Sequence, residues 1–218
     1  RVLFRSAPFW VASILGIFNL LSLSFFLRET HVNQRVSHDL HIFKGIQNIL
    51  SAWRDKDARP VYLSSFLYTS GFGFFASFSG IFLVAKFGLG ESAIGTFFGV
   101  VGGWIVVTQL FILRMLAGKY NERKILRVSL FILAISLTLY SFMPSLVLLY
   151  AIIPILAIPN GLSMANIGAL ISKSVSADRQ GAALGINGSL MALSQGTAPL
   201  LAGGIAGWFG IHAPFLTG

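Results

Sequence analysis

Side chains able to do chemistry are scarce in this sequence, and the best placed of them sit inside long apolar runs. Asn187, Met191 and Gln195 follow one another at four-residue intervals, which puts all three on one face of a helix. Tyr68, Phe72 and Phe75 share a face in the same way, within a segment rich in phenylalanine. Gln109, Asn160 and Asn166 are further amides in uncharged surroundings. Inside a membrane a polar side chain is expensive unless it faces protein or a wet cavity, so these residues are candidates for the lining of a common path. Aromatic walls with a few amides suit a lipophilic, polar-tipped small molecule, because they offer apolar area without demanding one hydrogen-bond pattern. The same amides would serve equally as bonds between helices, and the rings equally as lipid-facing side chains.

Other chemistries find no residues to carry them. There is no cysteine, hence no disulfide framework, thiolate ligand or cysteine nucleophile. No His-Glu-x-x-His pair and no phosphate-cradling loop is present, so neither a metal nor a cofactor is expected. Gly161-Leu162-Ser163 faintly matches a serine-nucleophile motif, but His31, His38 and His41 lie in a polar stretch and His212 in a turn, so no histidine is placed to activate it. No catalytic residue is assigned and an enzyme is not expected. No ionisable residue lies deep inside any apolar run: Glu29, Glu91, Glu122 and Asp178 are all at ends or in loops. A titrating acid buried at membrane depth is therefore not located in this chain.

The elements that position the amides are legible from composition. Hydrophobic residues make up 55% of the 218 residues and charged ones 11%, with a mean hydropathy of +0.79. That is more apolar surface than one soluble core hides. Uncharged runs extend over Ser6 to Leu27, Pro60 to Ala85, Ser92 to Leu113, Val128 to Ser172 and Gln180 to Gly218. Each reaches the roughly 20 residues that cross a ~30 Å hydrocarbon layer. The run from Val128 holds two spans, with Met143-Pro144-Ser145 as the turn between them. The expected fold class is all-α, a polytopic transmembrane helical bundle of about six spans.

A net charge of +9 suggests nucleic acid until the charges are placed. Thirteen of the sixteen basic residues fall in alternate loops, Arg28 to Arg59, Arg114 to Arg127 and Lys173 to Arg179. The positive-inside rule puts those loops in the cytoplasm, and no nucleic-acid partner is expected. The polar stretch from Arg28 to Arg59 carries Leu40, Phe43, Ile46, Leu50 and Trp53 at helical spacing, which reads as an amphipathic helix at the inner membrane surface. An internal repeat adds order: Ala7-Pro8-Phe9 precedes the first span and Ala213-Pro214-Phe215 follows the sixth, the prolines 206 positions apart. Two six-helix halves in parallel orientation produce such a repeat. On that reading residues 1–27 are the sixth helix of a twelve-helix protein, 28–59 its cytoplasmic central loop, and 60–218 helices seven to eleven with the start of a truncated twelfth. The preceding N-terminal helices are then a missing partner.

Several segments resemble the major facilitator superfamily, and within it bacterial drug:proton antiporters of the tetracycline-efflux type. Beside the long central loop, Leu27-Arg28-Glu29-Thr30 is similar to the Leu-Pro-Glu-Thr common at the end of the sixth helix. Arg114 to Lys124, with Leu116, Ala117, Lys119 and Arg123, resembles a weak second copy of the family's Gly-x-Leu-Ala-Asp-Arg-x-Gly-Arg-Lys loop, though Arg114, Gly118 and Asn121 replace its Gly, Asp and Gly. What transfers is a basic cytoplasmic turn, carried by Arg114, Lys119, Arg123 and Lys124. Gly196-Thr197-Ala198-Pro199 and Gly203-Gly204 resemble the Gly-Pro and Gly-Gly pattern of the antiporter signature, which the family keeps in its fifth helix.

The resemblance implies a multi-pass transporter of a bacterial inner membrane that exchanges a small amphiphilic compound for protons by alternating access. A sugar or metabolite carrier of the same fold is the alternative, and beyond it a non-transporting membrane protein or a membrane enzyme. Gating or packing falls to small residues and prolines. Gly95, Gly99 and Gly103 recur every fourth residue, as do Gly181 with Gly185 and Gly203 with Gly207. Pro154 and Pro159 interrupt the tenth helix, as a bending gate or as a static kink.

Overall fold

A computed structural model describes residues 2–26 and 58–217. It divides into two units, Arg1–His41 and Ile42–Gly218. The amphipathic stretch around Trp53 and the Leu27 to Thr30 motif lie outside the described residues. In the first unit, helix α1 (Val2–Phe26) runs for 25 residues. Phe9, Trp10, Ile14, Phe18 and Phe25 stand exposed on it. Ser13 and Ser24 turn their hydroxyls onto the carbonyls of Phe9 and Leu20, both at 2.8 Å, so the helix shows no unsatisfied hydroxyl there to surrounding hydrocarbon.

The second unit contains α2 (Arg59–Phe87), α3 (Glu91–Val107, continued through Leu116), α4 (Glu122–Phe142), α5 (Leu146–Lys173), α6 (Gln180–Phe209) and the short α7 (Ala213–Thr217). Local sequence sets the boundaries. Pro60 opens α2, where its missing N–H is harmless, and Gly88 ends it at φ 65°, its N–H returning to Leu83 and Val84. The turn at Met143 to Ser145 separates α4 from α5 as the sequence predicts, and Ser145 caps α5. Asn121 caps α4 by accepting from the Arg123 N–H at 2.9 Å. Gly118 sits at φ 85°, a left-handed turn that disfavours a side chain.

Among the described residues five helices are long and apolar enough to cross a membrane: α1 over Phe9–Phe26, α2, α3 over Glu91–Leu116, α4 and α5. The sequence predicts six. Helix α6 is the longest at 30 residues and carries no charge, but glycines, serines and the amides Asn187 and Gln195 dilute its apolarity. Its dilution reflects how it packs.

Helix α6 lies parallel to α2, with the pairing offset growing gradually along the contact. Tyr62 meets Ala183, Ser65 meets Asn187, Ser70 meets Ser194 and Gly73 meets Ala198. A Cβ on Gly73 would stand 2.8 Å from that of Ala198, so the backbones approach closely because this position has no side chain. Helices α3 and α5 pair likewise. Phe97 packs on Tyr150 with ring centroids 5.9 Å apart, and a Cβ on Gly161 would come within 3.1 Å of Thr108 Cγ2. Thr108 opens a π-helical turn, Thr108–Ile112, that widens α3 at this contact. Helix α5 stays continuous through Pro154 and Pro159, and α6 through Pro199.

Among the described residues two apolar clusters form. One is aromatic: Phe75, Phe78 and Phe82 of α2 meet Tyr140 of α4 and Phe215 of α7. The other joins Tyr62, Leu126, Ile167, Ile171 and Leu190. Polar contacts tie both ends of the bundle. At one, the Ser141 carbonyl in the last turn of α4 lacks an intrahelical donor, and Lys86 Nζ donates to it at 3.1 Å while His212 Nδ1 lies 3.0 Å away. Lys86 also lies over the Phe82 ring. At the other end Glu122 pairs with Lys173.

Replacing Gly73 with Val should force α2 and α6 apart and cost about 1 to 3 kcal/mol, typical of overpacking. Thermal unfolding in detergent micelles checks this: Gly73→Ala should be destabilised and partly rescued by Ala198→Gly, whereas Gly99→Ala, where an added Cβ meets nothing within 4 Å, should not be.

Candidate functional site

Between the two apolar clusters lies a belt of hydrogen-bonded polar side chains centred on α2. Tyr68 Oη donates to Asn160 Oδ1 at 2.7 Å and approaches the Asn160 carbonyl at 3.2 Å. Ser65 Oγ donates to Asn187 Oδ1 at 2.6 Å, and Asn187 Nδ2 points at Met191 Sδ at 3.4 Å. Ser70 Oγ meets Ser194 Oγ at 3.1 Å. Asn160 and Asn187 are 4% and 8% exposed, so each depends on these partners for satisfaction. Side chains on different sides of α2 thus hold α5 and α6 at once.

The candidates from the sequence separate into groups. Tyr68 with Asn160, and Asn187 with Met191, are drawn into the belt. Asn166 is buried but bonds back to the Leu162 carbonyl of its own helix at 2.8 Å. Gln109 in the π turn and Gln195 on α6 stand exposed and apart from it. Phe72 stacks on Tyr68 with centroids 6.4 Å apart, and both line a hollow between α2 and α4. Phe75 is 1% exposed and wedged against Tyr140 and Phe215, so it is a core residue and reaches no open space.

The small-residue stripes fall on open faces. A Cβ at Gly95, Gly99 or Gly103, or at Gly181, Gly185, Gly196, Gly203 or Gly204, would meet nothing within 4 Å. Close helix approach happens instead at Gly73 and Gly161. Ser65, Ser70 and Ser194 were not singled out from the sequence. A serine in an apolar run ordinarily bonds its own backbone, as Ser64 does to the Pro60 carbonyl at 2.8 Å, and no local signal distinguishes the ones that cross to a neighbour. Ser163 is fully buried and its hydroxyl has no partner, so it is no accessible nucleophile. Among the described residues no group of histidines, cysteines or acids could hold a metal.

The chain matches the Major Facilitator Superfamily over residues 61–218, most of its length. It belongs to that family. Comparison with curated proteins and with solved structures finds no significant match. As a Major Facilitator Superfamily chain it is a multi-pass membrane transporter, which agrees with its helical bundle and takes a small-molecule substrate. In this superfamily chain the basic turn is structurally plain. Arg114, Lys119, Arg123 and Lys124 are all exposed, and Lys124 Nζ lies 5.4 Å from the centre of the Tyr120 ring.

Tyr68→Phe should leave Asn160 buried without its donor and lower stability by about 1 kcal/mol, the scale of interhelical bonds within membranes. A double-mutant cycle with Asn160→Leu, read by chemical unfolding in micelles, should return a coupling of that size.

Proposed function

We propose that this chain is the C-terminal part of a proton-coupled exporter of small amphiphilic compounds, similar to the tetracycline-efflux type, operating by alternating access. The belt of Tyr68, Asn160, Ser65, Asn187 and Met191 is the observation that carries the proposal. Polar groups of this kind are retained between apolar clusters where a substrate with a polar tip must be held, and Met191 and Phe72 supply adaptable apolar contact beside them. We assign residues 1–27 to the sixth helix, 28–59 to a cytoplasmic central loop, and 60–218 to helices seven to eleven and the start of the twelfth.

The open glycine faces of α3 and α6 suit contact with the other six-helix half, where smooth surfaces slide as the transporter rocks. Exposed Gln109 and Gln195 belong to that side, with Pro154, Pro159 and Pro199 as places where α5 and α6 bend. The coupling acid lies in the N-terminal helices, since no span of this chain holds an ionisable residue at depth. The resemblance favours a bacterial inner membrane, and the distribution of basic residues favours a cytoplasmic position for the basic loops.

Everted vesicles carrying the intact transporter and loaded with a pH-sensitive dye test this. An amphiphilic substrate should release protons from the vesicles, and no proton movement with any amphiphile would overturn the coupling. Asn187→Leu should raise the half-maximal substrate concentration by about tenfold, the equivalent of one lost hydrogen bond. Lower thermal stability with an unchanged half-maximal concentration would make the belt a structural fastening alone.

A further inference from the structure

A second site opens at the end of the bundle where α2 and α4 begin, and its inner end reaches Tyr68 and Phe72 beside the belt. Arg123 and Arg127 are one helical turn apart on α4 and both line an open cavity of ≈ 400 Å³, bordered by Pro60, Val61 and Ser64 of α2 and Leu170 of α5. Neither guanidinium has an acid partner among the described residues: Glu122 is taken by Lys173, and Glu91 sits at the opposite end of the bundle. The cavity shares Ser64 and Leu130 with a second hollow of ≈ 250 Å³ that runs up the α2/α4 seam past Leu67, Phe72, Leu133 and Leu137. From Arg127 to Leu137 the slot follows α4 for about 15 Å.

We propose that this slot binds an anionic phospholipid, its phosphate held between Arg123 and Arg127 and one acyl chain lying along Leu130, Leu133 and Leu137. Guanidinium groups recognise phosphate in a two-pronged fashion that an ammonium does not reproduce. A pair of them at the rim of an apolar slot, in a protein surrounded by lipid, matches a molecule that is charged at one end and hydrocarbon at the other. A free phosphate would leave the slot unfilled. A transmembrane helix laid in the seam would fill the apolar part but leave the two charges uncompensated.

Native mass spectrometry of the purified full chain, released from micelles containing equal amounts of dioleoyl phosphatidylglycerol and dioleoyl phosphatidylcholine, tests the site. The wild type should retain phosphatidylglycerol preferentially. Arg123→Gln with Arg127→Gln should reduce that preference about thirty-fold, whereas Arg114→Gln with Lys119→Gln, in the same basic turn but outside the cavity, should leave it unchanged. Ala134→Trp, which plugs the slot without touching its mouth, should also release the lipid. Arg123→Lys with Arg127→Lys keeps the charge and guards against loss by misfolding; it should bind more weakly than wild type and better than the glutamine pair. Equal retention by the wild type and the glutamine pair would overturn the proposal, as would displacement of the lipid by millimolar inorganic phosphate. Retention unaffected by Ala134→Trp would also overturn it, and is the result expected if a helix of the protein occupies the seam.

Discussion

Hydrocarbon offers a backbone no hydrogen-bonding partner, and the architecture follows from that restriction. Each spanning segment closes its own ladder as a helix, and many hydroxyls on those helices are folded onto a carbonyl one turn back. Thr96, Thr138 and Ser189 do this at 3.0, 3.0 and 3.1 Å. Polar groups satisfied within their own helix join it to nothing. The few that reach across, among them Tyr62, Ser65, Tyr68 and Ser70, therefore help define which helices stay together.

Close packing does the rest, because helices in lipid gain little from burying apolar side chains against each other rather than against acyl chains. Contact has to come from fit. At Gly73 and Gly161 the missing side chain lets two helices approach closely, and in each case the helices run parallel. The π turn at Thr108 belongs to the second of these contacts, where the widened helix receives α5 one residue beyond Asn160. Position and satisfaction of the belt amide thus depend on a glycine and a helix irregularity beside it.

Charge is handled differently at each end of the bundle. Lys86 lays its stem along Phe82 and brings its ammonium to a carbonyl that helix geometry leaves free. Arg123 and Arg127 have no such protein partner among the described residues and rim a cavity instead. Belonging to a transporter superfamily accounts for the bundle and for its small-molecule substrate, and the particular side chains that line its surfaces bear on what it recognises.

Composition and the spacing of charges were sufficient for the helical class, the turn at Met143 to Ser145 and the basic turn before α4, because these depend on local hydrophobicity and on residues that stop a helix. They were sufficient also to mark Tyr68, Asn160 and Asn187 as out of place in apolar surroundings. Only the tertiary structure decided their partners. Ser65 reaches Asn187 across 122 positions and Tyr68 reaches Asn160 across 92, separations at which sequence carries no register. It also decided that Phe75 belongs to the core, and that the regular glycine stripes stand on open faces while single glycines make the close contacts. Periodicity states which residues share a face of a helix; what that face meets is set by the packing of the other helices.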